Sequence, residues 1–171
     1  MNNSRRLSPR ELVLDALLAA ILFISQISLA GIANVELVSL LLIVYTLVFK
    51  KHVWLILYVF VALEGLVYGF GLWWFSYLYV WAILIAMVSF FFRAGTKNPF
   101  SVALLSGVFG MLFGFFCSLS YVVTAGPKAA FIWWTAGILF DLVHGAGNFI
   151  LALILFRPLH QLLHKLTRIH S

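Results

Sequence analysis

Three residues within the stretch 131–148, FIWWTAGILFDLVHGAGN, have the types and the spacing to do chemistry: Asp141, His144 and Asn148. Steps of three and four residues place them on one face of a helix whose other positions are apolar. A carboxyl, an imidazole and an amide arranged in this way can exchange a proton or anchor a polar ligand. Ionisable groups within a bilayer are expensive and turn toward a cavity or a protein partner. This face therefore either lines a site or locks helices together through an internal pair. Asp141 and His144 would supply only two metal ligands, and a closed metal site needs a third or fourth. Glu64 is the one further acid at comparable depth, so no metal is expected. His160 and His164 are also four apart, but no Glu lies between them as in a metalloprotease. Beside Lys165 and Arg168 they suit lipid phosphates instead.

A second group of candidates lies earlier in the chain. Glu64 and Tyr68 share one face of an apolar segment, and Glu36 stands at the start of another, where an acid favours the helix dipole or meets a ligand. Trp73, Trp74, Tyr77, Tyr79 and Trp81 are crowded into nine positions, and Trp133-Trp134 precede the Asp141 face. Such residues belong to membrane interfaces, yet at this density they can also wall a pocket for a flat or greasy ligand. The candidate substrate-binding set is thus Glu36, Glu64, Tyr68, Trp73, Trp74, Tyr77, Trp133, Trp134, Asp141, His144 and Asn148. No catalytic residue is assigned, because no nucleophile stands beside His144.

The elements that position these residues are membrane helices. The composition is 64% hydrophobic and 9% charged, whereas a soluble domain carries about a quarter charged residues. A net charge of +6 could suggest nucleic acid, but the basic residues cluster at the ends of apolar segments, where lipid headgroups and topology account for them. No nucleic-acid partner is expected. Cys117 lies alone in an apolar run and reads as a small packing residue. The expected fold is a single all-α membrane domain over 1–171. Six helices cover about 12–30, 35–49, 53–70, 74–92, 100–123 and 130–156, and an amphipathic tail follows at 159–171. The first segment also resembles a secretory signal ending at Ser28-Leu29-Ala30, but about 18 apolar residues match a span better than a signal core of ~7–15.

With six helices, ten of the eleven Lys and Arg residues fall on one side, from Arg5, Arg6 and Arg10 through Lys50, Lys51, Arg93 and Lys97 to the tail; Lys128 alone faces the other. The positive-inside rule puts both termini in the cytoplasm. Asp141 then lies roughly 16 Å below the outer surface at ~1.5 Å per residue, with Glu64 somewhat nearer that surface. Gly107, Gly110, Gly114 and Ser118 form a seam for close helix packing, and Ala16 and Ala20 give the first helix a small-residue docking face.

Size, helix number, Ala16-xxx-Ala20 and three phrases, NVELVSLLLIVYTLVF, YVFVALEGLVYGFGLWWFSYLYVW and FDLVHGAGNFILALILFRPL, resemble the substrate-binding S components of energy-coupling factor (ECF) vitamin transporters, in particular a short group that includes the cobalamin member. The resemblance implies a non-enzymatic subunit of a prokaryotic plasma-membrane importer. It would bind a vitamin from outside and dock through Ala16 and Ala20 on a transmembrane T component with two ABC-type ATPases. It would topple within the bilayer to deliver its cargo. The sequence itself has no GxxxxGK[ST] loop to hydrolyse a nucleotide. Cobalamin or another corrinoid is the first expectation for the ligand, since an aromatic outer mouth suits a bulky ring; pyridoxine, pantothenate and a thiamin precursor are alternatives. Two other classes compete: an intramembrane acid-base enzyme, and a proton-coupled secondary transporter. No inverted repeat or broken-helix pair of the kind many secondary transporters carry is visible in the sequence.

Overall fold

A computed structural model describes residues 8–32, 34–93 and 98–168. The basic residues Arg5, Arg6 and Lys97 and the last residues of the tail lie outside the described residues, as does the side chain of Arg168. Among the described residues eight α-helices follow one another: α1 (Pro9–Leu29), α2 (Val38–Phe49), α3 (Val53–Tyr68), α4 (Leu72–Phe91), α5 (Pro99–Met111), α6 (Phe113–Ala125), α7 (Pro127–Ala136) and α8 (Ile138–Arg168). No strand occurs among the described residues. Among the described residues five helical stretches are long and apolar enough to cross a membrane, with α2 and α3 counted together and α5 joined to α6.

Local chemistry sets the helix ends. Ser8 and Glu11 form a reciprocal capping box, the Glu11 N–H donating to Ser8 Oγ at 3.2 Å and the Ser8 N–H to Glu11 Oε2 at 2.7 Å, with Pro9 in the first turn. α2 gives way at Lys50, whose φ of 52° leaves the right-handed region, to a single 3-10 turn over Lys50–His52. Gly69 and Gly126 end α3 and α6 with φ of 88° and 87°, a region that costs a residue with a Cβ more than it costs glycine. Three interhelix contacts fix the layout. His52 Nδ1 stands 2.9 Å from the buried Asp15 of α1, the Tyr68 ring packs on Phe23 of α1, and Trp74 Nε1 donates to the Val61 carbonyl of α3 at 2.8 Å.

The core is built mainly from α2, α3, α4 and α5, with Tyr45, Phe60, Trp81 and Phe109 among its largest enclosed side chains. The glycine seam of α5 lies against α8: a Cβ on Gly110 would stand 2.8 Å from Gly145 Cα, and one on Gly107 3.0 Å from Phe149 Cβ. Backbones this close need small residues. Ser118 is buried and donates to the Phe115 carbonyl of its own helix.

Two expected helices are interrupted. The segment expected at 100–123 divides at Leu112, and that expected at 130–156 divides at Gly137. The expected stop at Arg157-Pro158 is absent, because α8 runs through Pro158 to Arg168. Proline removes one donor, to the carbonyl four residues back. Pro158 and Ile154 are both exposed. The tail therefore continues the last helix instead of forming a separate surface segment.

Candidate functional site

Both interruptions border one cavity. It has a volume of about 410 Å³ and lies at the end of the bundle where α1 finishes, between the 30–37 connection, α4, the start of α6 and the α7–α8 junction. Its polar lining is Gln26, Asn34, Glu36, Tyr77, Asp141 and His144. Trp81, Phe113 and Trp133 supply aromatic wall.

α6 begins just beyond Leu112, so Gly114 is in a first turn whose N–H groups lack intrahelical acceptors. Asp141, in the first turn of α8, meets that N–H: its Oδ1 accepts from Gly114 at 3.0 Å. One carboxyl thus joins the starts of two half-helices, where a negative group is favoured by both dipoles. Asp141 is 8% exposed, and its second oxygen, Oδ2, has no hydrogen-bond partner among the described residues.

One turn further along α8, His144 Nε2 stands 3.3 Å from Glu36 Oε1. Glu36 precedes α2 and caps it, accepting from the Ser39 N–H at 3.2 and 2.9 Å. Burial pushes the Glu36 carboxyl up, but the His144 ring and the hydrogen bonds from Ser39 outweigh it and hold the group below the usual carboxylate range. The pair ties the 30–37 connection to α8 across the cavity. Another turn down, Asn148 Nδ2 donates to Ser39 Oγ at 3.2 Å. Asp141, His144 and Asn148 therefore share a buried face, and α6, the Glu36 connection and α2 each bind one of them.

A chain of ring contacts forms one wall. Tyr77 meets Trp81 edge-on at 5.5 Å, Trp81 meets Phe113 at 5.3 Å, and Phe113 meets the His144 ring at 4.9 Å. Trp133 stacks on Tyr121 at 4.9 Å on another side of the mouth. Two further atoms of lining residues, Gln26 Oε1 and Trp81 Nε1, are enclosed and find no partner among the described residues.

Of the eleven expected site residues, the cavity gathers Glu36, Tyr77, Trp133, Asp141 and His144. Asn148 lies behind His144. Glu64 is buried on α3, 2% exposed, and is not among the lining residues. Tyr68 is exposed, Trp73 lies at the surface with its ring against Tyr77, Trp74 is turned to α3 by its bond to Val61, and Trp134 packs on Phe115. Gln26, Asn34 and Phe113 line the cavity without having been singled out as candidates. Gln26 carried a usable signal, a lone amide in the apolar run of α1. A separate groove of about 810 Å³ between α4 and α6 contains Ser120, Thr124 and Tyr79 but no carboxyl. Among the described residues no group of three His, Cys, Asp or Glu side chains is placed to hold a metal.

The fold and cavity define an all-helical bundle of membrane type with a polar, aromatic-walled pocket at one end. Comparison of the chain with protein-family models, with curated proteins and with solved structures gives no match.

Proposed function

We propose that the chain is the S component of an ECF-type vitamin importer: a six-span, plasma-membrane subunit with both termini in the cytoplasm that captures a vitamin at an outward-facing pocket. The observation that carries this reading is the cavity itself, floored by Asp141 and His144 and closed on one side by the Glu36 connection. Six passages are supported by the positions of the contacts along α1. Ser39, at the start of α2, is at the cavity level with Asn148; His52 meets Asp15 in the first half of α1; Tyr68, at the end of α3, meets Phe23 farther up. α2 and α3 thus run in opposite directions about Lys50. Arg10, Lys50 and Lys51 gather at the end away from the cavity, which agrees with a cytoplasmic basic side.

Docking through α1 is supported by its open face. Ala16 is exposed and Ala20 half-buried, flanked by exposed Val13, Leu17 and Ile24, while Leu18, Ala19 and Leu22 face the core. A T component carrying two ATPases is the partner proposed for that face. A cavity of about 410 Å³ favours the smaller of the expected ligands, since sites of ~300–1,000 Å³ serve drug-sized molecules and a corrinoid with its nucleotide loop is far larger. The test is binding of a vitamin panel, cobalamin included, to the purified chain in detergent, together with uptake after co-expression with a T component and its ATPases. Ala16→Leu with Ala20→Leu should abolish uptake and leave binding intact. Unchanged uptake would overturn the docking assignment.

A second reading, a proton-coupled secondary transporter, is favoured by one observation: the interruptions at Leu112 and Gly137 bring two half-helix starts to a buried carboxyl, the arrangement many such transporters use. Uptake by vesicles containing this chain alone separates the two readings.

A further inference from the structure

The groove between α4 and α6 stands apart from the cavity. With ~3.6 residues per turn, Tyr77 and Trp81 give one face of α4 to the cavity, while Leu72, Phe75 and Tyr79 give the opposite face to the groove. Its rim is open: Phe70, Phe75 and Val123 are 61%, 55% and 88% exposed. The lining of this space of about 810 Å³ contains no Asp, Glu, His, Lys or Arg. Its polar side chains are already bonded within the protein. Tyr79 Oη donates to the Phe116 carbonyl at 2.8 Å, Ser120 Oγ to the Cys117 carbonyl at 2.8 Å and Thr124 Oγ1 to the Ser120 carbonyl at 3.0 Å. A peptide or a polar metabolite would bury its own donors and acceptors here with nothing to answer them. A hydrocarbon chain has none to lose.

Position narrows the hydrocarbon to one kind. α4 and α6 belong to stretches long and apolar enough to cross a membrane, and in a bilayer the open rim faces lipid. Along α4 the groove runs from Leu72 to Tyr79, about 10 Å at ~1.5 Å per residue, a depth that stays within one leaflet of a ~30 Å core. The pairs Ser76 with Ser120 and Tyr79 with Phe116 show the two helices to be antiparallel, so Thr124 of α6 is level with the start of α4. Lys128, exposed, follows Thr124 by four residues. It is the only Lys or Arg in 30–37, 69–71 and 126–128, the stretches that join helices at this end. A cation at the mouth of an uncharged groove complements an acyl chain that ends in a phosphate.

We infer that the α4–α6 groove is a phospholipid site: one acyl chain lies between Phe75 and Leu119, and the phosphate above it pairs with Lys128. The bound chain covers the Tyr79–Phe116 and Ser76–Ser120 contacts and holds α4 against α6. The site is independent of what the cavity binds.

The test uses the full-length chain in detergent micelles, titrated with phosphatidylglycerol that carries a diazirine on one acyl chain. After illumination, peptide mass spectrometry locates the adducts. Saturable labelling of 70–79 and 119–124 is expected, removed by unlabelled phosphatidylglycerol and several-fold above that of Leu139, Leu142 and Val143 of α8, which are also exposed but lie outside the groove lining. Leu119→Trp, which fills the groove, should remove most of the groove adducts. Lys128→Gln should raise the half-saturating lipid concentration about fivefold, the effect of one lysine at a phosphate surface. Both positions are exposed, so the lipid-free thermal midpoint should not move in either variant. Labelling in proportion to exposure over every apolar face, a groove signal that does not saturate, or indifference to either variant overturns the site. A dimer in the micelle with its groove unlabelled would assign this face to a second copy of the chain and overturns it equally.

Discussion

Replacing Gly114 by alanine tests the central geometric claim, that Asp141 holds the start of α6 from a separate helix. A Cβ at Gly114 would lie 2.5 and 2.6 Å from the two Asp141 oxygens and 2.9 Å from Cγ. Ordinary contact begins near 3.4 Å, so the carboxyl must withdraw by most of an ångström. Withdrawal relieves the overlap by sacrificing the 3.0 Å bond from the Gly114 N–H. The cost is therefore one of two terms and not their sum: overpacking at ~1–3 kcal/mol or loss of a hydrogen bond to a charged group at ~1.5–3 kcal/mol. Alanine returns about 0.5–1 kcal/mol through helix propensity, leaving a net loss near 1–2 kcal/mol. Gly147→Ala, on α8 and facing Asn34 and Val35, is the control. Its Cβ would meet nothing nearer than Asn34 O at 3.6 Å, so only the propensity gain of ~0.5–1 kcal/mol remains. The propensity gain is common to both variants, so they should differ by the penalty alone, roughly 1–3 kcal/mol, a separation in Tm of about 2–12 °C at ~2–4 °C per kcal/mol for a chain of this size. Thermal unfolding in detergent, followed by loss of the monodisperse peak, reads this difference. In the Asp141→Ala background the penalty at Gly114 should vanish, since contacting residues couple. Equal midpoints for Gly114→Ala and Gly147→Ala would refute the contact.

Three other perturbations probe separate parts of the molecule. Glu36 is held below its ordinary value of 4.5 in the folded state, so its contribution to stability is present above 4.5 and is lost as pH falls through the lower folded value; wild type should lose thermal midpoint on acidification below 4.5 and Glu36→Gln should show a flatter profile. His52→Ala leaves the 1%-exposed Asp15 without its 2.9 Å partner and should cost about 1–3 kcal/mol, measured by denaturant or thermal unfolding, toward the lower end because the His52 side chain is 31% exposed. Trp74→Phe removes the donor to the Val61 carbonyl at a cost of ~1 kcal/mol, yet ligand affinity should stay within about twofold by titration, since Trp74 is not in the cavity lining.

The cost of placing charge in an apolar helix made the Asp141, His144 and Asn148 face legible: spacing alone put the three on one side, and all three are buried. Their partners were not legible. The bond to Gly114 exists because α5 stops at Met111 and frees an N–H, and the residue between the half-helices, Leu112, carries no breaking signal of its own. Glycine at 110 and 114 announced close packing but not where the ladder would open. Conversely, Pro158 announced a stop that did not occur: α8 runs through it to Arg168.

The aromatic cluster shows the same limit at finer grain. Tyr77 and Trp81, four apart, line the cavity; Trp74, three positions before Tyr77, turns to α3; Trp73 stays at the surface. Belt and pocket wall are thus sorted by rotation of α4 about its own axis. In a soluble helix an apolar stripe would reveal that rotation. α4 is apolar on every side, with exposed Phe75, Phe90 and Phe91 matching the buried Val80, Leu84 and Val88 in character. Lipid and protein interior then accept the same side chains, and the rotation is decided by the few polar atoms that must find partners. Tyr79 Oη donating to the Phe116 carbonyl at 2.8 Å and Ser76 Oγ meeting Ser120 Oγ at 2.9 Å fix α4 against α6, and the position of Trp81 in the cavity follows from those two contacts.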